Sequence, residues 1–157
     1  FFDIDNNKIR EFAIKLNKPV VIRYPRGGED ENVKFEKHTN IELGKAEILK
    51  EGQDVSIIAI GKKVADAMKI AEQFEEEGIK AEVINARFLK PLDEETIKKS
   101  IEKTKNVITI EDGTKINGLG TAIEELIVEN NLQDIKFEKQ AWPDEFLKQC
   151  TEWRKDG

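Results

Sequence analysis

The sequence holds few of the residues that most often carry chemistry. Its 157 residues include one histidine and one cysteine. A zinc-type site needs three or four imidazole, thiolate or carboxylate ligands at set spacings. His38 and Cys150 therefore all but exclude a metal centre built from histidine and cysteine, and a histidine relay is equally unavailable. Cys150 has no second cysteine for an internal disulfide, which fits a reducing, cytoplasmic setting. As a nucleophile it lacks a histidine–asparagine pairing, so it reads as incidental. No apolar run approaches membrane-spanning length or has the form of a secretory signal, so no membrane partner is expected. Basic residues are outnumbered 26 to 32 and the net charge is −6. Nucleic-acid binding needs a basic face and is not expected.

What is present is an alternation of strand and helix signals, in a chain the length of one ordinary domain. Residues 1–17 carry Ile9, Phe12, Ala13 and Leu16 at helical spacing, with Asp5 or Asn6 as a cap. Pro19 to Tyr24 reads as a strand, Val55–Ile60 as a strand covered on both faces, and Glu82–Ala86, Val107–Ile110 and Ile135–Phe137 as further strands. Between them, Val64, Ala67, Met68, Ala71 and Phe74 share one helical face, and Gly78 is placed to end that helix. Asp93 caps the next helix, with Leu92 packing on Ile97 as a staple. Ala122, Ile123, Leu126 and Ile127 mark another. A terminal helix is expected after Pro143, with Asp144 as its cap. Residues 27–42 read as a linker by composition. The expectation is an α/β fold, a three-layer arrangement of a mostly parallel sheet with helices on both faces.

One stretch concentrates fixed charge. Val20-Val21-Ile22-Arg23-Tyr24-Pro25-Arg26-Gly27-Gly28 runs from apolar residues into two arginines, a proline and two glycines. In open α/β sheets ligands bind at the C-terminal edge of the strands. A guanidinium there suits phosphate, because its planar fork makes paired, charge-assisted bonds. Arg26, fixed behind Pro25 with Gly27 leaving room, is the first candidate; a structural arginine bridging two domains is the alternative. Arg23 is the weaker candidate, since strand alternation turns it toward packing or an interface.

Other candidates have plainer readings. Asn117-Gly118-Leu119-Gly120 opens a helix after the acidic turn Glu111-Asp112-Gly113 and could cradle an anion. Ile123 stands where a dinucleotide fingerprint needs its third glycine, so tight strand-to-helix packing is favoured. Glu111 and Asp112 are adjacent on a strand, point to opposite faces, and are not expected to work as an acid–base pair. Arg87 and Lys90 follow a strand end, and either face a partner or neighbouring domain or are solvated or capping.

Leu43-Gly44-Lys45-Ala46-Glu47-Ile48-Leu49, Asn85-Ala86-Arg87-Phe88-Leu89-Lys90-Pro91-Leu92-Asp93 and Trp142-Pro143-Asp144-Glu145-Phe146 follow the RYPRG stretch in order. Together, from about Lys18 to Gln149, they resemble the end of the 1-deoxy-D-xylulose-5-phosphate synthase family, thiamine-diphosphate enzymes related to transketolases. The resemblance implies a transketolase C-terminal-like domain over 43–157, a linker over 29–42 and the tail of a pyrimidine-binding domain over 1–28. It implies thiamine diphosphate and Mg2+ in the full-length enzyme, held by N-terminal domains whose motifs this sequence does not contain. It implies pyruvate and glyceraldehyde 3-phosphate as small-molecule substrates, a role in isoprenoid precursor synthesis, a homodimer at full length, and Arg26 on the acceptor's phosphate. No cofactor site and no catalytic residue is expected in this chain, and alone it is expected to be inactive. The alternatives are a docking domain of a 2-oxo-acid dehydrogenase β subunit and a free-standing chain split from its catalytic partner. Phe1-Phe2 and the ending at Gly157 look truncated against the family, and Cys150 stands where its members usually carry glycine.

Overall fold

The computed structural model describes residues 6–23 and 40–145. Tyr24, Arg26, His38, Cys150 and, from residue 146 on, the helix expected after Pro143 lie outside them. The elements are α1 (Asn6–Lys15), β1 (Glu47–Lys50), β2 (Val55–Ala59), α2 (Lys63–Glu76), β3 (Ala81–Asn85), α3 (Glu94–Thr104), β4 (Asn106–Thr114), α4 (Leu119–Glu129) and β5 (Lys136–Trp142).

The strands form one sheet in the order β1-β3-β2-β4-β5. β2 pairs in parallel with β3 and with β4, and β4 pairs in parallel with β5. β1 runs antiparallel along β3 and forms one edge. Alternation along the strands builds two cores. Ile58, Ile84 and Val107 pack with Ile97 and Ile101 of α3 and with Leu119 and Ile123 of α4. Ile57, Ala59, Val83 and Ile110 face the other way, onto Val64, Ala67 and Ala71 of α2. Every residue of β2 and β3 is buried, as expected of central parallel strands covered on both faces. The expected three-layer α/β sheet is what forms.

Local chemistry sets the element ends. Asp93 caps α3, accepting from the Thr96 N–H at 3.2 Å and the Thr96 hydroxyl at 2.9 Å. Its second oxygen also accepts from the Ala46 N–H at 2.9 Å, so the cap joins α3 to the entry of β1. Gly78, at φ +80, ends α2, and the Ile79 N–H reaches back to the Phe74 carbonyl at 2.8 Å. On α1, Ile9 is buried and Phe12 meets Phe88 edge-on at 6.3 Å, which docks the helix on the segment after β3.

Two expectations are corrected, and one element is added. Residues 19–23 are not a buried strand: they pair with no strand among the described residues, and Val21 is 87% exposed. An extended apolar run becomes a strand only where a ladder partner satisfies its backbone, and none pairs with it among the described residues. The acidic turn Glu111-Asp112-Gly113 is instead part of β4, which continues to Thr114 with a register shift against β5. The edge strand β1 was not foreseen. Among the described residues no helix is long and apolar enough to cross a membrane.

Candidate functional site

The sheet has one topological switch point. The chain leaves β2 for α2 on one face, and leaves β4 for α4 on the other. Between neighbouring strands whose connections part in this way, a crevice opens at their carboxyl ends. Here it is a cleft of about 90 Å³, lined by Arg23, Ile60, Lys62, Glu111, Asp112, Gly113, Asn117 and Gly118 among others.

Glu111 fills the position an anionic ligand would take. Its side chain is on the α4 side of the sheet, and Oε2 accepts the Gly120 N–H at 2.8 Å. The first N–H groups of a helix have no intrahelical partner and carry partial positive charge. The carboxylate answers both needs. Gly118 makes room for it, since a Cβ there would come 2.0 Å from Glu111 Oε1; Gly120 makes room for its other neighbours, a Cβ there coming 2.4 Å from the Lys139 side chain and 3.0 Å from Thr109 Oγ1. The Asn-Gly-Leu-Gly turn is thus an anion cradle whose anion belongs to the chain, and its glycines serve close packing.

Asp112 points to the opposite face, as strand alternation requires. Its carboxylate meets Lys62 Nζ at 2.8 Å and accepts from Trp142 Nε1 at 2.9 Å. Burial pushes its pKa up, but the hydrogen bonds from Lys62 and Trp142 and the charges of Lys62 and Lys63 outweigh it, and the net direction is down. Its backbone carbonyl accepts from Arg23 Nη2 at 3.1 Å. The two carboxylates therefore have separate partners, and the geometry is not that of an acid–base pair.

Of the phosphate candidates, Arg23 is brought to this cleft and Arg26 lies outside the described residues. Arg87 is neither solvated nor turned outward. It is 1% exposed, with φ +54, and its Nη2 meets Glu47 Oε2 of β1 at 2.5 Å. A buried guanidinium requires such a counter-charge. Lys90 is exposed, before a cis bond to Pro91. The convergence of Arg23, Lys62 and Trp142 on Asp112 escaped sequence reasoning, because no spacing rule joins residues so far apart. The Glu111 cap did carry a signal: an acidic residue shortly before a Gly-x-Gly helix start.

Thiamine diphosphate and its metal do not fit this site. A diphosphate at the α4 N-terminus would meet the Glu111 carboxylate, and the cleft is far smaller than the several hundred Å³ typical of cofactor pockets. Among the described residues no group of three His, Cys, Asp or Glu is arranged to hold a metal ion.

Comparison with known proteins agrees with the geometry. The chain is 47% identical over 136 residues to the 1-deoxy-D-xylulose-5-phosphate synthase of Halothermothrix orenii, covering 86% of this chain and 21% of that protein. It is 42% identical over 145 residues to the synthase of Desulfotalea psychrophila, covering 88% and 22%. The chain thus spans about a fifth of the length of these curated relatives. A solved split-gene transketolase, described as an inactive beta4 tetramer, superposes with a TM-score of 0.77 at 36% identity, covering 87% of this chain and 44% of that one. Residues 44–148 match the family described as transketolase, C-terminal domain. With that match covering most of its length, and with the parallel sheet and self-capped α4 corner described above, the chain belongs to the transketolase C-terminal domain family.

Proposed function

We propose that this chain is the C-terminal part of a 1-deoxy-D-xylulose-5-phosphate synthase. The whole protein would condense pyruvate with glyceraldehyde 3-phosphate, with loss of CO2, using thiamine diphosphate and Mg2+ held by its other domains. One observation carries this reading: relatives bearing that name match nearly the whole chain, including the segment that precedes the C-terminal domain. On this reading residues 1–28 end the pyrimidine-binding domain, 29–42 are a linker and 43–157 the C-terminal domain. The full-length protein would be a cytoplasmic homodimer.

Arg26 is the residue assigned to the acceptor's phosphate. The engagement of Arg23 by the Asp112 carbonyl favours Arg26 over Arg23 in that role. In the full-length protein, Arg26→Ala should raise KM for glyceraldehyde 3-phosphate by roughly ten- to a hundredfold, the equivalent of losing about 1.5–3 kcal/mol of charged hydrogen bonding. KM for pyruvate should stay the same. Steady-state kinetics with each substrate varied in turn checks this, and an unselective loss would remove Arg26 from the phosphate.

The isolated chain is expected to bind no thiamine diphosphate and to release no CO2 from pyruvate. Self-capping of α4 supports this, because the helix N-terminus on the β4 side of the switch point is already taken by Glu111. Saturable heat of cofactor binding in calorimetry would refute it. The split-gene relative favours a second arrangement, in which the N-terminal domains are a separate polypeptide. Co-purification from the source cells decides between one chain and two.

A further inference from the structure

We propose that the N-terminus of α4 is a latent phosphate site and that Glu111 is its built-in plug, a side chain that keeps phosphate compounds out of the switch-point cleft. This goes beyond the synthase reading and does not depend on it.

An ordinary helix cap comes from the side chain at the helix start. Here that residue is Gly118, which makes no side-chain cap. The cap comes instead from Glu111 on β4, nine positions before the Gly120 N–H that it accepts at 2.8 Å. A strand, a Gly-x-Gly turn and a helix N-terminus together are an arrangement by which backbone N–H groups hold phosphate. The chain has it at β4, Asn117-Gly118-Leu119-Gly120 and α4, with a carboxylate of its own in the anion's place.

A second group points to the same spot. Thr109 shares the strand face of Glu111 and is 1% exposed, and its hydroxyl has no hydrogen-bond partner among the described residues. Buried hydroxyls are nearly always paired. This one lies 3.0 Å from where a Cβ on Gly120 would stand, so it is directed at the first turn of α4. Glu111 answers the Gly120 N–H and leaves the Thr109 hydroxyl unanswered. A tetrahedral oxyanion has oxygens for both. The Lys139 stem lies 2.4 Å from the same Cβ position, with its Nζ on Glu124 Oε2 at 2.5 Å. Glu111 and Gly118 also line the cleft of about 90 Å³, so a shorter side chain at position 111 opens the α4 N-terminus onto that space.

In the unaltered chain an incoming phosphate must displace a carboxylate already seated on the N–H, and meets its negative charge while doing so. A cap and a plug make different predictions. Both stabilise the helix, but only removal of a plug uncovers a ligand site.

The test follows the Gly120 amide proton by NMR in the 157-residue chain, unaltered and with Glu111→Ala. Inorganic phosphate and glycerol phosphate are titrated separately, with ionic strength held constant by chloride. In Glu111→Ala the resonance should move and saturate at phosphate on the order of millimolar. Adding Thr109→Val should weaken that binding about tenfold, the worth of one hydrogen bond to a charged group. In the unaltered chain the resonance should stay in place over the same range. Saturation by either probe supports the proposal, and saturation by the ester extends the site to sugar phosphates. No saturable shift with either probe makes Glu111 an ordinary cap and refutes it. An equal response in the unaltered chain refutes the plug, and an affinity indifferent to Thr109→Val refutes the site as placed here. Should Glu111→Ala not fold, Glu111→Gln keeps the shape and an acceptor for the Gly120 N–H but drops the charge. Phosphate should then move the Gly120 resonance where it does not in the unaltered chain, and a resonance that stays still overturns the proposal.

Discussion

At the scale of single residues, the corner between β4 and α4 is tightly determined. Glu111 needs the space that Gly118 leaves: a methyl group there would stand 2.0 Å from its Oε1. The carboxylate must then shift and give up the Gly120 N–H, or the helix must move away from the sheet. Gly118→Ala is therefore expected to cost about 1–3 kcal/mol, the usual range for forced overpacking. Urea unfolding followed by circular dichroism would show it as a lower midpoint. The backbone of Gly118 is no obstacle, since its φ of −102 suits any residue; the penalty is one of contact alone. Arg87 is governed by the same economy of charge. Its burial against Glu47 ties β1 to the end of β3 and leaves it unavailable to a ligand.

At the scale of elements, caps and stripes were legible and pairings were not. Asp93 illustrates the legible part. Its place before Glu94-Glu95 and its spacing to Thr96 mark an N-cap, and it is one. The structure adds that the same side chain holds the Ala46 N–H. Asp93→Ala should therefore cost more than an ordinary cap, about 2 kcal/mol, because a partly buried N–H is left unmet as well. Thermal unfolding of Asp93→Ala beside Asp93→Asn separates the two parts, the asparagine keeping most of the cap. The apolar faces of α2, α3 and α4 were equally readable, because helical period is a local property. Strand partners are not local. Pro19–Arg23 has the composition of a strand and no ladder among the described residues, while Glu47–Lys50 has a weak pattern and joins β3 antiparallel. The reach of Arg23 to Asp112 belongs to the same class, and no pattern within either segment announces it.

At the scale of the whole molecule, charge placement sets the response to acid. Glu82 is 1% exposed, beside Lys103 on α3. Burial pushes its pKa up, yet the hydrogen bonds from Lys103 and Ser100 and the Lys103 charge bring the net direction down. Asp112 is depressed in the same sense. A carboxylate whose folded pKa lies below its unfolded one contributes stability that is complete above the unfolded value and is lost as pH falls through the folded one. Unfolded carboxylates titrate near pH 4. The urea midpoint should thus be flat from neutrality down to about pH 5 and fall below that. Glu82→Gln should flatten the fall, whatever its effect at neutral pH. A decline beginning near pH 6 would point instead to a group outside this pair.

A tethered carboxylate is never diluted. Glu111 stands beside its helix at an effective concentration set by the chain itself, which no free anion in a cell can match. The corner it closes should therefore keep one shape whether sugar phosphates are scarce or abundant, and whatever is built upon it inherits that constancy.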